Sequence, residues 1–188
     1  MRRCLLLFVI ALSFGVVRAQ ACSPAHVDTL QESADKSGLI MIVQVMEVAF
    51  HPDRDRDDLV LPRYAAKFRV VETLKGDVRG VKLLSGGDGG DCGLTLMAGR
   101  YVLVLADSAS RVVPVSEHRS SNLGPVWPDS DWKNENARIQ ALRNYLHDGE
   151  PIDRCLNWTQ FEFPLSEPDE REVDRCKAVI SSVLKQPD

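Results

Sequence analysis

Leu39 to Phe50 reads Leu-Ile-Met-Ile-Val-Gln-Val-Met-Glu-Val-Ala-Phe, a β-branched and almost continuously apolar run. A run of this kind folds as a long, largely buried strand, so the chain must build a sheet around it. The run loosens to alternation near Gln44 and Glu47. Arg63 to Leu74 then alternates, with Tyr64, Ala66, Phe68 and Val70 set against Arg63, Lys67 and Arg69. This is a second strand, and the charged turn His51 to Asp58 makes the pair a hairpin. Lys75-Gly76-Asp77 ends it. Val81 to Leu84, Arg100 to Ala106 and Arg111 to Val115 follow as three further strands, with the glycine-rich loop Ser85 to Gly93 between the first two of them.

Helical patterns flank this β region. Pro24 to Ala34 places Val27, Leu30 and Ala34 at helical spacing, with Ser23 as cap and Pro24 in the first turn. Ser120 to Asp131 is rich in Ser, Pro and Gly and reads as a loop. Asp131 to His147 is helical, with Ala137, Ala141, Leu142 and Tyr145 on one side and Gly149 at its end. A last helix runs from about Pro168 to Lys185, capped by Ser166, with the apolar stripe Val173, Cys176, Ile180, Val183 and Leu184. The expected class is mainly β with flanking helices. Five strands within about 100 residues fit a small closed barrel of the OB type, and a five-stranded sandwich gives the same string.

The N-terminus sets the compartment. Met1-Arg2-Arg3-Cys4, the apolar run Leu5 to Val17 and Arg18-Ala19-Gln20-Ala21 have the build of a secretory signal peptide. The run is short for a spanning helix, which needs about 20 residues, and no later stretch is long enough to span. Cleavage after Ala19 and cleavage after Ala21 both satisfy the small-x-small rule, and a lipid anchor on Cys22 is a third option. Over the 188 residues Lys plus Arg is 23 and Asp plus Glu is 27. Loss of residues 1–21 removes Arg2, Arg3 and Arg18, so the net charge moves from −4 to about −7. A mildly acidic body is a poor match for nucleic acid, whose phosphates need a basic face. Cys4 leaves as well. The even set Cys22, Cys92, Cys155 and Cys176 in an exported chain points to two disulfides with three connectivities.

Several elements occur in a telling order: Cys22-Ser23-Pro24, a short helix, Ser33-Ala34-Asp35, the long apolar strand, Leu74-Lys75-Gly76, Asp91-Cys92-Gly93, and Ala98-Gly99-Arg100-Tyr101-Val102-Leu103-Val104. Residues 22–116 thereby resemble the netrin-like domain, the OB-fold of the tissue inhibitors of metalloproteinases and their bacterial relatives. Residues 117–188 lie outside the resemblance and form a helical C-terminal extension. The resemblance implies a five-stranded OB-like barrel and a Cys22–Cys92 disulfide. That bond would close a loop of about 70 residues, worth about 4 kcal/mol in the chain-entropy treatment. The family's second bond has no counterpart, because Pro24 stands where its first cysteine would be. Its partner position, near His118, holds no cysteine either. Cys155 and Cys176 would pair next, closing about 22 residues for about 3 kcal/mol. No histidine lies near either in sequence, so a disulfide pinning the last helix is expected over a reactive or metal-binding pair.

The resemblance also implies a mechanism. A free amine and carbonyl on Cys22 would occupy two open positions on the catalytic zinc of a metalloprotease, and Ser23 would enter the adjoining specificity pocket. Cleavage after Ala21 is required, since Gln20 and Ala21 would otherwise block the amine. The plainer role of Cys22 is to staple the first helix to the barrel.

Other patterns carry less. Asp53-Arg54-Asp55-Arg56-Asp57-Asp58 begins like a calcium loop, but its sixth position is Asp58 rather than Gly and its twelfth is Tyr64 rather than Glu. Ser85-Gly86-Gly87-Asp88-Gly89-Gly90-Asp91 lacks the Lys-Ser or Lys-Thr of a phosphate loop and opens no helix. His26, His51, His118 and His147 are scattered, and no nucleophile elbow is present. Trp127 and Trp132 bracket a loop, and Asn157-Trp158-Thr159 matches a glycosylation acceptor. The expectation is an exported, monomeric, non-enzymatic protein-binding module with no cofactor, no metal of its own and no catalytic residues. Its partner is a zinc metalloprotease or another extracytoplasmic protein. The alternatives are an envelope-associated interaction domain without protease inhibition and, more remotely, a hydrolase using His118.

Overall fold

A computed structural model describes residues 28–52, 63–87, 93–116, 119–125, 133–157 and 170–185. The elements are α1 (Leu30–Lys36), β1 (Leu39–Phe50), β2 (Tyr64–Lys75), β3 (Leu83–Ser85), β4 (Tyr101–Ala106), β5 (Val112–Pro114), β6 (Ser121–Gly124), α2 (Lys133–Asp148) and α3 (Glu170–Val183). The fold is mainly β, with three helices flanking one six-stranded sheet of order β5-β3-β2-β1-β4-β6. All neighbours are antiparallel except β3 and β5.

The apolar run becomes the centre of this sheet because both of its faces are occupied. Leu39, Met41, Val43 and Val45 bury on one face with Ala66, Leu84, Val102, Val104 and Val113. Ile40 and Ile42 bury on the other with Leu103, Leu105, Leu30, Leu123 and Leu142. Leu39 to Val43 of β1 and Val102 to Ala106 of β4 are buried at every position for this reason, while β1 loosens at Gln44 and Glu47 and β2 buries only Ala65 and Ala66, with Val70 and Val71 both exposed. Helical residues enter only the second cluster. The first is covered by the sheet itself and by Leu94 and Leu96 from the loop before β4. Register shifts between β1 and β2 at Ile40/Met41, Ile42/Val43 and Val45/Glu47 bend the long hairpin, as bulges do.

Three expectations need correction. Five strands in a closed barrel were expected. The described sheet has six, and no ladder among the described residues joins β5 to β4. The extra strand, β6, lies in the stretch read as a loop. Ser121-Asn122-Leu123-Gly124 has little strand propensity of its own, but Leu123 fills the outer core and the backbone pairs with the free side of β4. The first helix also starts later than expected. Thr29 is its cap, accepting from the Glu32 N–H while the Glu32 carboxylate accepts from the Thr29 N–H, a complete capping box. Ser23 and Ser166, the caps expected for the first and last helices, lie outside the described residues.

Residues on both sides of position 116 share the outer core. α2 buries Ala137, Ile139 and Leu142 there, and Gly149 closes it with φ of 72°. The Arg138 guanidinium, 2% exposed as a residue, is held by Glu135 at 2.8 Å. Burial pulls its pKa down from the ordinary guanidinium value while Glu135 acts against that shift. Asn157 Oδ1 accepts from the Gln31 N–H at 2.8 Å, and Gln31 Oε1 accepts from the Ile152 N–H at 3.0 Å. The chain therefore caps α1 a second time from 126 residues away. This bond also occupies the side-chain amide of the glycosylation acceptor.

Where β1 begins, β2 ends and β4 ends, the backbones touch. Gly38 N–H donates to Asp107 O at 3.1 Å. Gly76, at φ of 85°, lies so close that a Cβ there would stand 2.4 Å from Gly38 O.

Candidate protein-binding surface

The strand directions gather loops at one end of the sheet: the C-terminal ends of β1, β3 and β5, and the N-terminal ends of β2 and β4. Phe50 on β1 and Tyr64 on β2 face each other there, with ring centroids 4.9 Å apart. The Arg63 guanidinium carbon lies 5.4 Å from the Phe50 ring centroid, a cation–π contact worth about 0.5–1 kcal/mol at an exposed site. The hairpin closes with His51 N–H donating to Arg63 O at 2.7 Å.

The start of the glycine-rich loop is built onto the same end. Gly86 N–H donates to Tyr64 O at 3.2 Å, and Gly87 N–H donates to Leu94 O at 3.1 Å. A Cβ on Gly86 would stand 2.7 Å from both Leu94 O and the Leu96 side chain, so only glycine lets these backbones approach. Gly93 bridges to Ser116, and Leu94 N–H donates to Val115 O at 2.8 Å. The residue after Cys92 is thereby fixed between the glycine-rich loop and the end of β5.

The turn before β4 completes the surface. Gly99 N–H donates to Val45 O and Val45 N–H donates to Arg100 O, which seats Met97 to Arg100 against β1 beside Met46. Met46 is 55% exposed, Phe50 49% and Met97 46%. Methionine, aromatic residues and arginine are the types enriched in protein interfaces. The adaptable thioether chains suit a surface that must fit another protein. The neighbouring Lys67–Glu47 pair, 2.9 Å apart and exposed on both sides, contributes little to stability.

The residues expected to carry function divide sharply. Cys22, Ser23 and Cys92 lie outside the described residues, as do Asp53 to Asp58, Trp127, Trp132, His26 and His118. Gly86, Gly87 and Gly93 border the segment that holds Cys92. Cys155 and Cys176 are disulfide-bonded, with Cα atoms 5.2 Å apart. Such a bond is compatible with an exported protein. Arg175 Nη2 reaches the Cys155 sulfur at 2.8 Å and the Asp153 carboxylate at 3.2 Å. Burial works to raise the pKa of Asp153, but the Cys155 N–H and the Arg175 guanidinium outweigh it and hold the carboxyl below its ordinary range. The two sulfurs and the Glu172 carboxylate lie within 4.8 Å of one another, the one such cluster of metal-ligating atoms among the described residues. The bond between the sulfurs leaves it no thiolate.

Between β2 and α2 an open groove of about 570 Å³ is lined by Leu74, Gln140, Arg143, Asn144 and His147, among others. Its arginine is engaged: Arg143 forms a two-pronged bridge to Glu72, at 2.9 and 2.6 Å. Asp148 accepts from the His147 ring and raises its pKa at an exposed site. No helix among the described residues is long and apolar enough to cross a membrane.

Sequence reasoning missed the exposed apolar set. Met46 stands in a run that reads as buried throughout, and its exposure follows from the bulge between Val45 and Glu47. A methionine beside a glutamate in a β-branched strand is the only local sign of it. Compared with known proteins, the chain matches no family model and no curated protein.

Proposed function

We propose that this chain is an exported, non-enzymatic protein-binding module of the netrin-like type, and that it engages its partner through the loop-bearing end of the sheet. The observation that carries this reading is the exposure at that end of Met46, Phe50 and Met97, with Arg63 and Tyr64 packed on Phe50. The strand pairing supports the fold half of the proposal. The parallel β3·β5 pair within an otherwise antiparallel sheet means that the chain crosses over between them by way of β4 rather than returning as a hairpin. Consecutive strands β5 and β6 border β3 at one edge and β4 at the other. One stretch of chain thus accompanies both edges, as the last strand of an OB-type barrel does. Among the described residues the first cluster takes no helical side chain, which is the packing such a barrel needs.

In its specific form the proposal is metalloprotease inhibition. With Cys22 as the mature first residue and bonded to Cys92, its amine and carbonyl chelate the partner's zinc and Ser23 enters the adjoining pocket. Residues 117–188 act as an extension of the scaffold, and the protein works as a monomer without cofactor or nucleic acid. The test is N-terminal sequencing and disulfide mapping of the mature protein, followed by assay against a panel of zinc metalloproteases. Inhibition by the form beginning at Cys22, its loss on adding one alanine before Cys22, and weakening by Met97→Glu are expected. No inhibition of any protease, or equal inhibition by the extended form, overturns the chelation reading. A Cys92–Cys155 link overturns the architecture.

A further inference from the structure

α3 is held differently from the rest of the molecule. None of its residues is buried, and it meets the outer core through the half-buried Val179, Ile180 and Val183. Its remaining ties sit at its N-terminal half: the bond to Cys155, the Arg154–Glu172 pair at 2.5 Å, and Arg175 between Asp153 and Glu172. The two sulfurs are not equivalent. Cys155 is buried, whereas Cys176 is partly open to solvent. Only the Cys155 sulfur receives a guanidinium, from Arg175 Nη2 at 2.8 Å, while Cys176 Sγ has the Glu172 carboxylate 4.0 Å away.

Thiol–disulfide exchange favours attack on the accessible sulfur and departure of the better-stabilised thiolate. Both preferences select the same direction here. We propose that Cys155–Cys176 is a site of exchange with an external dithiol, attacked at Cys176 with Cys155 as the leaving thiolate, and that its opening releases α3 from α2. The attacking thiolate forms a bond to Cys176 Sγ as the Cys155–Cys176 bond breaks, and the electron pair goes to Cys155 Sγ beside Arg175. The second thiol of the dithiol, once deprotonated, attacks the mixed disulfide and expels Cys176 as a thiolate. The dithiol leaves as a disulfide, and its two protons end on the two cysteines or in solvent. With the staple gone, α3 is held by the half-buried contacts of Val179, Ile180 and Val183 and by exposed ion pairs of Arg154 and Arg175, which add little.

The oxidised full-length protein is incubated with reduced glutathione, acid-quenched and digested. The expected adduct is on Cys176, in about tenfold excess over Cys155. Arg175→Gln removes the guanidinium beside the leaving thiolate and slows the exchange about tenfold. Arg154→Gln, whose guanidinium lies on Glu172 rather than on sulfur, changes the rate less than about twofold. Reduction by dithiothreitol speeds hydrogen exchange across residues 170–183 and leaves β1 and β4 protected. Adducts mainly on Cys155, or an unchanged rate in Arg175→Gln, overturn the direction of attack. Unchanged protection of α3 after reduction overturns its release.

Discussion

Replacing Gly76 by alanine tests one of the two tightest backbone approaches among the described glycines. Gly76 has φ of 85°, where an L side chain costs about 1–2 kcal/mol. Its new Cβ would also stand 2.4 Å from Gly38 O and 3.2 Å from Leu39 Cα, both backbone atoms that cannot rotate away. Moving them disturbs the Gly38 N–H bond to Asp107 and the first residue of β1, a distortion of the overpacking kind worth about 1–3 kcal/mol. The expected loss is about 2–5 kcal/mol. Gly149→Ala is the internal control, since Gly149 has φ of 72° and nothing within 4 Å of its Cβ position. It carries the strain without the collision and should lose only about 1–2 kcal/mol. The entropy that alanine removes from the unfolded chain is common to both and cancels in the comparison. Guanidinium unfolding of both variants measures the difference, and calorimetry should lower Tm by about 2–4 °C per kcal/mol. If Gly76→Ala is no less stable than Gly149→Ala, the collision is not real and the crossing of the three strand ends is wrong.

Further outcomes follow from other contacts. Asn157→Ala removes the distant cap of α1 and should cost about 1 kcal/mol, as should Thr29→Ala, with urea midpoints reporting both; no change in the first would mean that residues 152–157 do not dock on α1. Leu142→Ala empties a fully buried site between α2 and the sheet, with an expected loss of about 2–5 kcal/mol by denaturant titration. Asp77, bonded by the Arg79 side chain and backbone, should titrate at about 2 by carbon-detected NMR and move up toward the ordinary carboxylate range in Arg79→Ala, which removes the side-chain bonds and keeps the backbone one. A depressed carboxyl favours the folded state above the ordinary carboxylate pKa, and that benefit disappears as pH falls toward about 2. Both groups are fully exposed, so the readout is the titration itself.

The legible parts of this fold are those where one residue's environment repeats along an element. The first half of β1 and all of β4 announce burial on both faces by apolar runs, and β2 announces its wetter face by the alternation from Ala66 to Arg69; their bounds lie within a residue or two of the reading. β6 was illegible because its stability lies in the free side of β4, not in Ser121 to Gly124. Thr29 with Glu32 was legible as a capping box and was passed over for Ser23-Pro24, a pattern of equal local merit. Arg138 could not be read as buried, since a polar residue in a polar helix gives no sign that the chain will cover it with a half-buried Glu135 beside it. Of the candidate surface, the glycine-rich loop and Cys92 were visible as motifs. The exposure of Met46 was not, because a bulge is a property of two strands together.

The bond between Gln31 and Asn157 also sets a clock. α1 is among the first described elements to be synthesised, but its seven residues are too few to persist alone. The acceptor that caps it and the leucine and isoleucine of α2 that cover its surroundings come more than a hundred residues later. β3·β5 and β4·β6 likewise wait for late segments. Contacts this distant in sequence close slowly. The β1–β2 hairpin can pair early, whereas α1 and the two sheet edges gain their partners only after the later segments have been made.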